Sequence, residues 1–371
     1  MARPPMESRR KILVGLSISL SGRFSVQGRQ AIDGLRLWQS YVNGQDGITI
    51  GQAAPQPVRL VLYDDQSRAS LARANALRLL RRDCVDALFG PYSSGLTMAV
   101  AALAHEQGKV LWNHGGSSDE ILNRGWPHLV STPTPASDYL RDLPRWLERQ
   151  AVALRKICIV HSTRGTFAPY VAQGVAQAAA SEYSVQLMPY SALDVDVLVR
   201  ELCASLPEIL VLAGNFEQEI QIMRARQRWP ASIQVVAAVA AGVHAFYDEL
   251  GRAAVGVIGP SQWEAQANFP ADIGPDAVWF ARNFQQQFGC KPEYGAAGSF
   301  AAGLIFQKCV QQAGSLQDND LLAAAAQLDC STFYGRFRLD SASGRQVGHR
   351  ILLTQWDQDS KVVLPPSGNT E

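Results

Sequence analysis

The stretch RRKILVGLSISLSGRFSVQG, residues 9–28, admits two readings, and the choice between them decides the fold. Two arginines and a lysine precede an apolar run, as in a secretory leader. The run is short, and Gly15, Ser17 and Ser19 dilute it. SLSGRF is also a poor match to the small-residue cleavage pattern of such leaders. Read instead as a strand, ILVGLSI (12–18) leads through a Ser-Gly loop into a helix-period segment. That segment, about 30–42, puts Ile32, Leu35, Trp38 and Val42 on one face. The strand reading is preferred because the pattern it starts repeats along the chain. The chain as it stands then has no leader, which leaves a mature exported protein or a cytosolic one as the expectations.

VRLVLYDD (58–65) predicts a second strand, and SRASLARANALRLLRRD a helix capped by Ser67 or Ser70. DALFG (86–90), SGLTMAVAALAHEQG closed by Gly108, and KVLWN (109–113) continue as strand, helix, strand. WPHLVSTPTPAS (126–137) is rich in Pro and Ser and reads as a connection between domains. Five more short apolar runs follow: KICIVHS (156–162), SVQLMPY (184–190), EILVLAG (208–214), IQVVAAVA (233–240) and VGVIG (255–259). Amphipathic segments such as FEQEIQIMRARQRW (216–229) lie between them. GPSQWEAQANFPADIGP (259–275) reads as a second irregular connection, followed by helices at about 276–288, 295–313 and 319–327 and a strand-and-turn tail. Alternation of this kind predicts an α/β protein with two mainly parallel sheets, about five strands each, flanked by helices. A length of 371 residues also suggests two domains.

Composition narrows the function. Charged residues are 18% of the chain and the net charge is +1, so neither a nucleic-acid surface nor an anionic-membrane surface is implied. No apolar run approaches the roughly 20 residues that span a bilayer. The six cysteines, Cys84, Cys158, Cys203, Cys290, Cys309 and Cys330, form no C-x-x-C pair and read as buried free thiols. No metal site or cofactor motif appears. There is no G-x-G-x-x-G after the first strand, no P-loop and no G-x-S-x-G. An acyl-transfer pair of Ser94 and His114 is conceivable, giving a serine hydrolase as one reading, but no orienting acid lies beside it. The acids of YDD (63–65) read as caps and turn residues.

In open α/β sheets, ligands bind beyond the carboxyl ends of the strands. Those loops here are SLSGRFSVQG, GPYSSG (90–95) and NHGGSSDE (113–120) in the first half, and HSTRGTFAPY (161–170) and AGNFEQE (213–219) in the second. Gly permits close backbone approach, while helix-opening N–H groups and Ser hydroxyls suit a small polar or anionic head group. Helix capping is the structural alternative for each Ser.

Taken in order, these segments resemble the type I periplasmic-binding fold, in its branch of Leu/Ile/Val-binding solute receptors, over about residues 11–365. KILVGLSISLSGRFSVQG is similar to the family's opening strand and loop, VRLVLYDDQS to its second strand, and FGPYSSGLTMAVAALAHEQGKVLWNHGGSSDEI to its central block. AGNFEQEIQIMRARQ and YGRFRLDSASGR match later landmarks. The resemblance implies two lobes joined by three crossings, closing on a ligand like a hinged trap. It implies lobe one at 11–133 plus 264–334 and lobe two at 134–263 plus 335–365, with tails at 1–10 and 366–371. The ligand's polar head would be held by Ser94 or Ser93, and by a backbone group and a hydroxyl from Gly115, Gly116 and Ser117. Aromatic walls would come from Phe167, with Thr166 as the alternative one residue away, from Phe216, and from Phe24, with Gln27 as the other choice. Trp263 would add a further wall.

One departure from the family pattern matters. Amino-acid binders of this branch place a carboxylate after a late strand of lobe two to meet the ligand ammonium. VVAAVAAGVH (235–244) has no acid there, and a buried ammonium without a counter-charge is costly. An amide, or an aromatic or other organic acid, fits better than a free amino acid. The implied function is a non-enzymatic receptor, most simply the substrate-binding component of an ABC importer with a membrane permease as partner. The alternative is a cytosolic amide-type sensor with a regulatory output partner. Periplasmic or extracellular location goes with the first, cytoplasmic with the second, and a monomer or homodimer with either.

Overall fold

A computed structural model describes residues 10–150, 153–340 and 342–365. The chain divides into two compact units. One holds the residues up to Thr134 together with Ala267–Arg350, the other Pro135–Gln266 together with the residues from Ile351 on.

The first unit opens with β1 (Ile12–Ile18), α1 (Ser25–Asn43), β2 (Val58–Asp64), α2 (Ala69–Arg81), β3 (Ala87–Phe89), α3 (Ser94–Glu106), β4 (Leu111–Asn113), α4 (Asp119–Asn123) and β5 (Leu129–Ser131). Its sheet is parallel, in the order β2-β1-β3-β4-β5. Residues 12–18 are therefore a strand, with Ile12, Val14, Leu16 and Ile18 fully buried. β5 lies inside the stretch read as a connection. Only three residues pair, and the Thr-Pro-Thr-Pro that follows masks them. α2 begins at a plain Arg68 cap; neither Ser67 nor Ser70 caps it, because Ser67 is bonded to the loop after β1.

The second unit contains α5 (Leu143–Arg149), β6 (Lys156–Ser162), α6 (Phe167–Ala179), β7 (Ser184–Tyr190), α7 (Val195–Ser205), β8 (Ile209–Ala213), α8 (Phe216–Arg224), β9 (Val235–Ala238), α9 (Ala245–Leu250) and β10 (Ile258–Ser261). The chain then returns to the first unit for α10 (Ala277–Phe288), α11 (Tyr294–Ala313), α12 (Asp318–Gln327) and the antiparallel pair β11 (Asp329–Thr332) and β12 (Gly335–Arg338). It ends in the second unit with β13 (Leu352–Asp357) and β14 (Ser360–Val363). These two add antiparallel strands to one side of the second sheet, whose order is β14-β13-β10-β9-β8-β6-β7, so it has seven strands and not five.

The unit boundaries differ from the expected lobes in three places. Residues 335–350, expected in lobe two, belong to the first unit: β12 pairs with β11, and the Arg345 guanidinium meets Asp119 at 2.6 Å. Residues 264–266 belong to the second unit, where Glu264 ion-pairs with Lys361. Thr134 stays in the first unit, bonded to His349.

Both sheets are covered on two faces, as buried parallel strands require. In the first unit, Leu88, Leu111 and Leu129 pack under α2 and α3. The opposite face carries Trp38, Phe89 and Trp112, stacked in succession with ring centroids 6.1 and 6.3 Å apart, and Phe306 of α11 edge-on to each. α1 and α11 pack with little between them. A Cβ on Gly34 would fall 2.2 Å from the Ala296 carbonyl, so only glycine fits. In the second unit Ile157, Ile159, Ile209 and Val211 face one layer, while Cys158, Val160, Leu210 and Leu212 face the other. Of the cysteines, all unpaired, Cys158, Cys309 and Cys330 are buried as expected. Cys84, Cys203 and Cys290 are exposed, on the turn after α2, the outer face of α7 and the turn after α10.

Candidate functional site

In the first unit, the loop after β1 is held by the paired acids of β2. The buried Asp65 carboxyl accepts from Ser19 Oγ at 2.5 Å, from Ser17 Oγ at 3.4 Å and from the Ser67 N–H at 2.9 Å. Burial pushes this carboxyl up, and those bonds oppose it. Asp64 accepts from the Leu20 and Ser21 N–H groups and from Ser21 Oγ. Burial acts to raise it too, but its hydrogen bonds outweigh that and hold it below the usual range. Both acids are turn fasteners. Phe24, at the end of this loop, is half-buried and packs edge-on against Tyr92, centroids 5.9 Å apart. Gln27, the alternative, has a buried Oε1 with no hydrogen-bond partner.

The loops after β3 and β4 are knitted together. Asn113, fully buried, accepts from the Gly115 and Gly116 N–H groups through Oδ1 at 3.2 and 2.8 Å. Its Nδ2 donates to the Gly116 carbonyl at 2.7 Å and to Ser131 Oγ at 2.9 Å. Ser94, the first residue of α3, accepts from the Ser117 and Ser118 N–H groups at 3.2 and 3.1 Å. Thr97 Oγ1 donates to the Pro91 carbonyl at 3.0 Å. The two glycines serve this packing: a Cβ on Gly115 would lie 2.8 Å from the Pro91 carbonyl, and one on Gly116 would lie 2.6 Å from the Thr97 side chain.

The N–H groups of 115–118 are thus consumed inside the unit. The Ser94 hydroxyl proton and the Gly115 carbonyl, by contrast, stay unengaged on these loops. Ser93 caps α3 only through its backbone, its carbonyl accepting from the Thr97 N–H at 2.8 Å. No hydrogen bond joins Ser94 to His114. Neither ring nitrogen of His114 has a partner, and burial pushes this imidazole down to about 4, a poor general base. The hydrolase pair is therefore not assembled.

In the second unit, Phe167 opens α6 beyond β6, Phe216 opens α8 beyond β8, and Trp263 follows β10. All three stand at carboxyl ends of strands that run parallel in one sheet. Phe167 meets the ring of Tyr139 at 5.1 Å, nearly perpendicular. The Tyr139 hydroxyl accepts from Gln262 Nε2 at 2.8 Å, and Gln262 adjoins the buried Trp263. Phe216 lies apart from this group, against the Leu210, Ile220 and Tyr190 layer. Thr166 is the N-cap residue of α6. Sequence reasoning missed Tyr139 and Gln262, which no strand–loop pattern singles out, and Asn113, whose Asn-x-Gly-Gly context is a readable turn signal.

It also missed Glu219. The stretch after β9 has no acid of its own, but this carboxyl reaches it from α8. Glu219 accepts from the Gly214 N–H through Oε1 and from the Ala240 N–H through Oε2, both at 2.7 Å. Burial pushes it up to about 8, against those two bonds. It is 1% exposed, so it joins the loops after β8 and β9 and offers no open counter-charge.

A family model described as periplasmic binding protein matches residues 11–361. The chain belongs to the periplasmic binding protein family. The architecture of the family is shared with solved structures of low identity. A leucine-binding protein, LivK, from Thermotoga maritima is 14% identical, with 95% of this chain and 98% of that one covered and a TM-score of 0.80. LivJ from Streptococcus pneumoniae, a branched-chain amino acid substrate-binding protein in complex with isoleucine, is 16% identical over 96% of this chain and 100% of that one, at 0.80. An ABC-transporter solute-binding protein of R. palustris in complex with benzoate is 20% identical over 96% of each chain, at 0.77. As a member of this family of solute-binding proteins, the chain has a type I periplasmic-binding fold. No helix among the described residues is long and apolar enough to cross a membrane.

Proposed function

We propose that this chain is a non-enzymatic receptor for a small solute with a carboxylate or amide head and an apolar or aromatic body. Its simplest role is the substrate-binding component of an ABC importer, periplasmic or extracellular, that hands its cargo to a membrane permease. The observation that carries this reading is the pair of unengaged groups at adjacent strand ends of the first unit. The Ser94 hydroxyl supplies a donor and the Gly115 carbonyl an acceptor, on loops already braced by Asn113. The second unit offers Phe167 at its own strand ends, with Phe216 as a separate wall, while Trp263 is buried beside Gln262. The sealed Glu219 argues against a free amino acid, since an ammonium finds no open carboxylate there. That similar folds hold benzoate in one case and isoleucine in another supports a solute of this size.

Calorimetry with benzoate, benzamide and leucine tests the reading. Benzoate or benzamide should bind, and Ser94→Ala should weaken that binding. Leucine bound tightest with no response to the aromatic probes, or hydrolysis of any probe, would sink it. Closure of two lobes on the solute, which the resemblance implies, would appear as a smaller radius of gyration in solution scattering when the bound probe is added.

A second role is favoured by the thiols. All six cysteines are unpaired, three of them exposed, which suits a reducing compartment better than an oxidising one. The chain would then be a cytoplasmic sensor acting on a regulatory partner. Fractionation of the native gene product, with thiol labelling of each fraction, separates the two roles.

A further inference from the structure

A groove of about 140 Å³ opens on the first unit, and none of the candidate solute-binding residues lines it. Three pieces of chain wall it. Phe269 follows the point, 266–267, at which the chain re-enters the unit. Ser331 belongs to β11, and Gly335 and Arg336 to β12. Gly348 and Arg350 end the segment that leaves the unit at 350–351. These walls are held in place. β11 pairs with β12, with Ser331 opposite Arg336. Gln346 Oε1 accepts from the Gly348 N–H at 2.9 Å. His349, between Gly348 and Arg350, is bonded to Thr134 and to the Tyr334 carbonyl. The two glycines let the walls approach closely. A Cβ on Gly348 would lie 2.9 Å from the Arg336 carbonyl, and one on Gly335 would lie 2.8 Å from the His349 ring.

The lining is rich in donors. Arg336 gives Nε and Nη2 to the Asp329 carboxylate at 2.7 and 2.6 Å, which neutralises it, fixes the guanidinium and leaves Nη1 unengaged. Arg350 is exposed and has no side-chain hydrogen bond or ion pair among the described residues, so its charge is uncompensated. The Ser331 backbone N–H is taken by Asp272 at 2.9 Å, whereas its hydroxyl has no partner among the described residues. The half-buried Phe269 supplies an apolar side. We propose that this groove is a second ligand site, for a phosphate group, either free or on a small organic body. The guanidinium fork of Arg350 carries the charge, with Arg336 Nη1 and the Ser331 hydroxyl as further donors. Donors from three residues answer the several oxygens of a tetrahedral oxyanion better than the two of a carboxylate, and arginine is suited to phosphate by its planar fork. An organic body would lie on Phe269. The inference does not depend on the receptor reading, since the two sites share no residue.

The test is calorimetry with inorganic phosphate and with phenyl phosphate, on wild type, Arg350→Gln and Ser331→Ala, at an ionic strength held constant with sodium chloride. Wild type should bind phosphate saturably, and the melting temperature should rise with phosphate concentration. Arg350→Gln should weaken binding about tenfold or more, as loss of a charge-assisted hydrogen bond does, and Ser331→Ala should weaken it less. Arg350 is exposed, so the melting temperature of Arg350→Gln without phosphate should match wild type. Phenyl phosphate bound more tightly than inorganic phosphate assigns an organic phosphate to the groove, and equal affinities assign the free ion. No saturable binding of either probe by wild type up to about 10 mM overturns the proposal. So does equal phosphate affinity in wild type and Arg350→Gln. Loss of phosphate binding in Ser94→Ala, with Arg350→Gln unaffected, would place the ion in the solute site and overturn it as well.

Discussion

Glu219 and Ala240 lie 21 residues apart in sequence and share one hydrogen bond of 2.7 Å, carboxyl oxygen to backbone N–H, with neither exposed to solvent beyond a trace. With the Gly214 bond, it makes one side chain the fastener of two strand-end loops. The same burial raises this carboxyl from the ordinary 4.5 to about 8. In the unfolded chain the group loses its proton near the ordinary value, whereas in the folded chain it keeps it. Its contribution to stability is therefore complete below about 4.5 and is lost as pH rises towards 8. The slope is at most about 1.4 kcal/mol per pH unit. Urea unfolding midpoints should fall between pH 5 and 8. Glu219→Gln, which cannot ionise and keeps one carbonyl acceptor, should be less stable at pH 5 and close the gap as pH rises. Parallel pH profiles for the two proteins would show that Glu219 does not titrate in that window. Tyr190, whose hydroxyl burial and the nearby Glu219 push well up, stays neutral throughout it.

Asn113 makes four hydrogen bonds from a fully buried amide. Asn113→Ala leaves the Gly115 and Gly116 N–H groups without acceptors and frees the turn that presents the Gly115 carbonyl. The cost should be about 2–4 kcal/mol, since orphaned buried donors carry most of the penalty. Asn113→Asp keeps both N–H acceptors but loses the donor to Ser131 and buries a charge, so it should not rescue. Chemical denaturation of both variants checks this, and a loss below about 0.5 kcal/mol for Asn113→Ala would contradict the described turn.

Thr134 and His349 stand just before the two points, 134–135 and 350–351, at which the chain leaves the first unit. Thr134 Oγ1 lies 2.6 Å from His349 Nδ1, and His349 Nε2 lies 3.1 Å from the Tyr334 carbonyl, on whose ring the imidazole stacks. A carbonyl only accepts, so Nε2 must carry the proton, and a neutral ring then takes the threonine hydroxyl at Nδ1, a hydroxyl that also lies 3.3 Å from the His349 carbonyl. Nitrogen NMR of His349 should show the Nε2–H tautomer. Thr134→Val removes the hydroxyl bonded to Nδ1 and should cost about 1–3 kcal/mol. An Nδ1–H tautomer in wild type would refute the assignment.

Much of this was legible in the sequence because two-sided burial leaves an unbroken apolar run. ILVGLSI and KICIVHS coincide with β1 and β6, whereas SVQLMPY, which coincides with β7, is an edge strand with only Met188 buried. Strand β5 was not legible, since three residues carry no periodicity and the prolines after them signal a turn. At the candidate site, the sequence located the loops but not the direction of their hydrogen bonds. Ser94 and Gly115–Ser117 read as ligand donors, whereas the N–H groups turn inward to Ser94 and Asn113. Glu219 was invisible for a related reason. Periodicity places it on a helix face, but only the packing of α8 shows that its carboxyl reaches the loop beyond β9.

Gly174 and Gly95 make a paired test of packing against helix propensity. Gly174 lies inside α6, where alanine is intrinsically better by about 1 kcal/mol, and Gly95 lies in the first turn of α3, where that preference is weaker. A Cβ on Gly174 would sit 1.8 Å from the Ser137 carbonyl, so the helix cannot accept it without moving away from the turn at 136–138. A Cβ on Gly95 would meet nothing within 4 Å. Gly174→Ala should therefore destabilise by about 1–3 kcal/mol despite its better propensity, the usual cost of overpacking. Gly95→Ala should be neutral or stabilise by up to about 1 kcal/mol. Thermal unfolding of the two variants beside wild type reads the difference. If Gly174→Ala proved as stable as wild type, the close approach of α6 to that turn would be wrong, and with it the seating of Phe167, which opens the same helix against Tyr139.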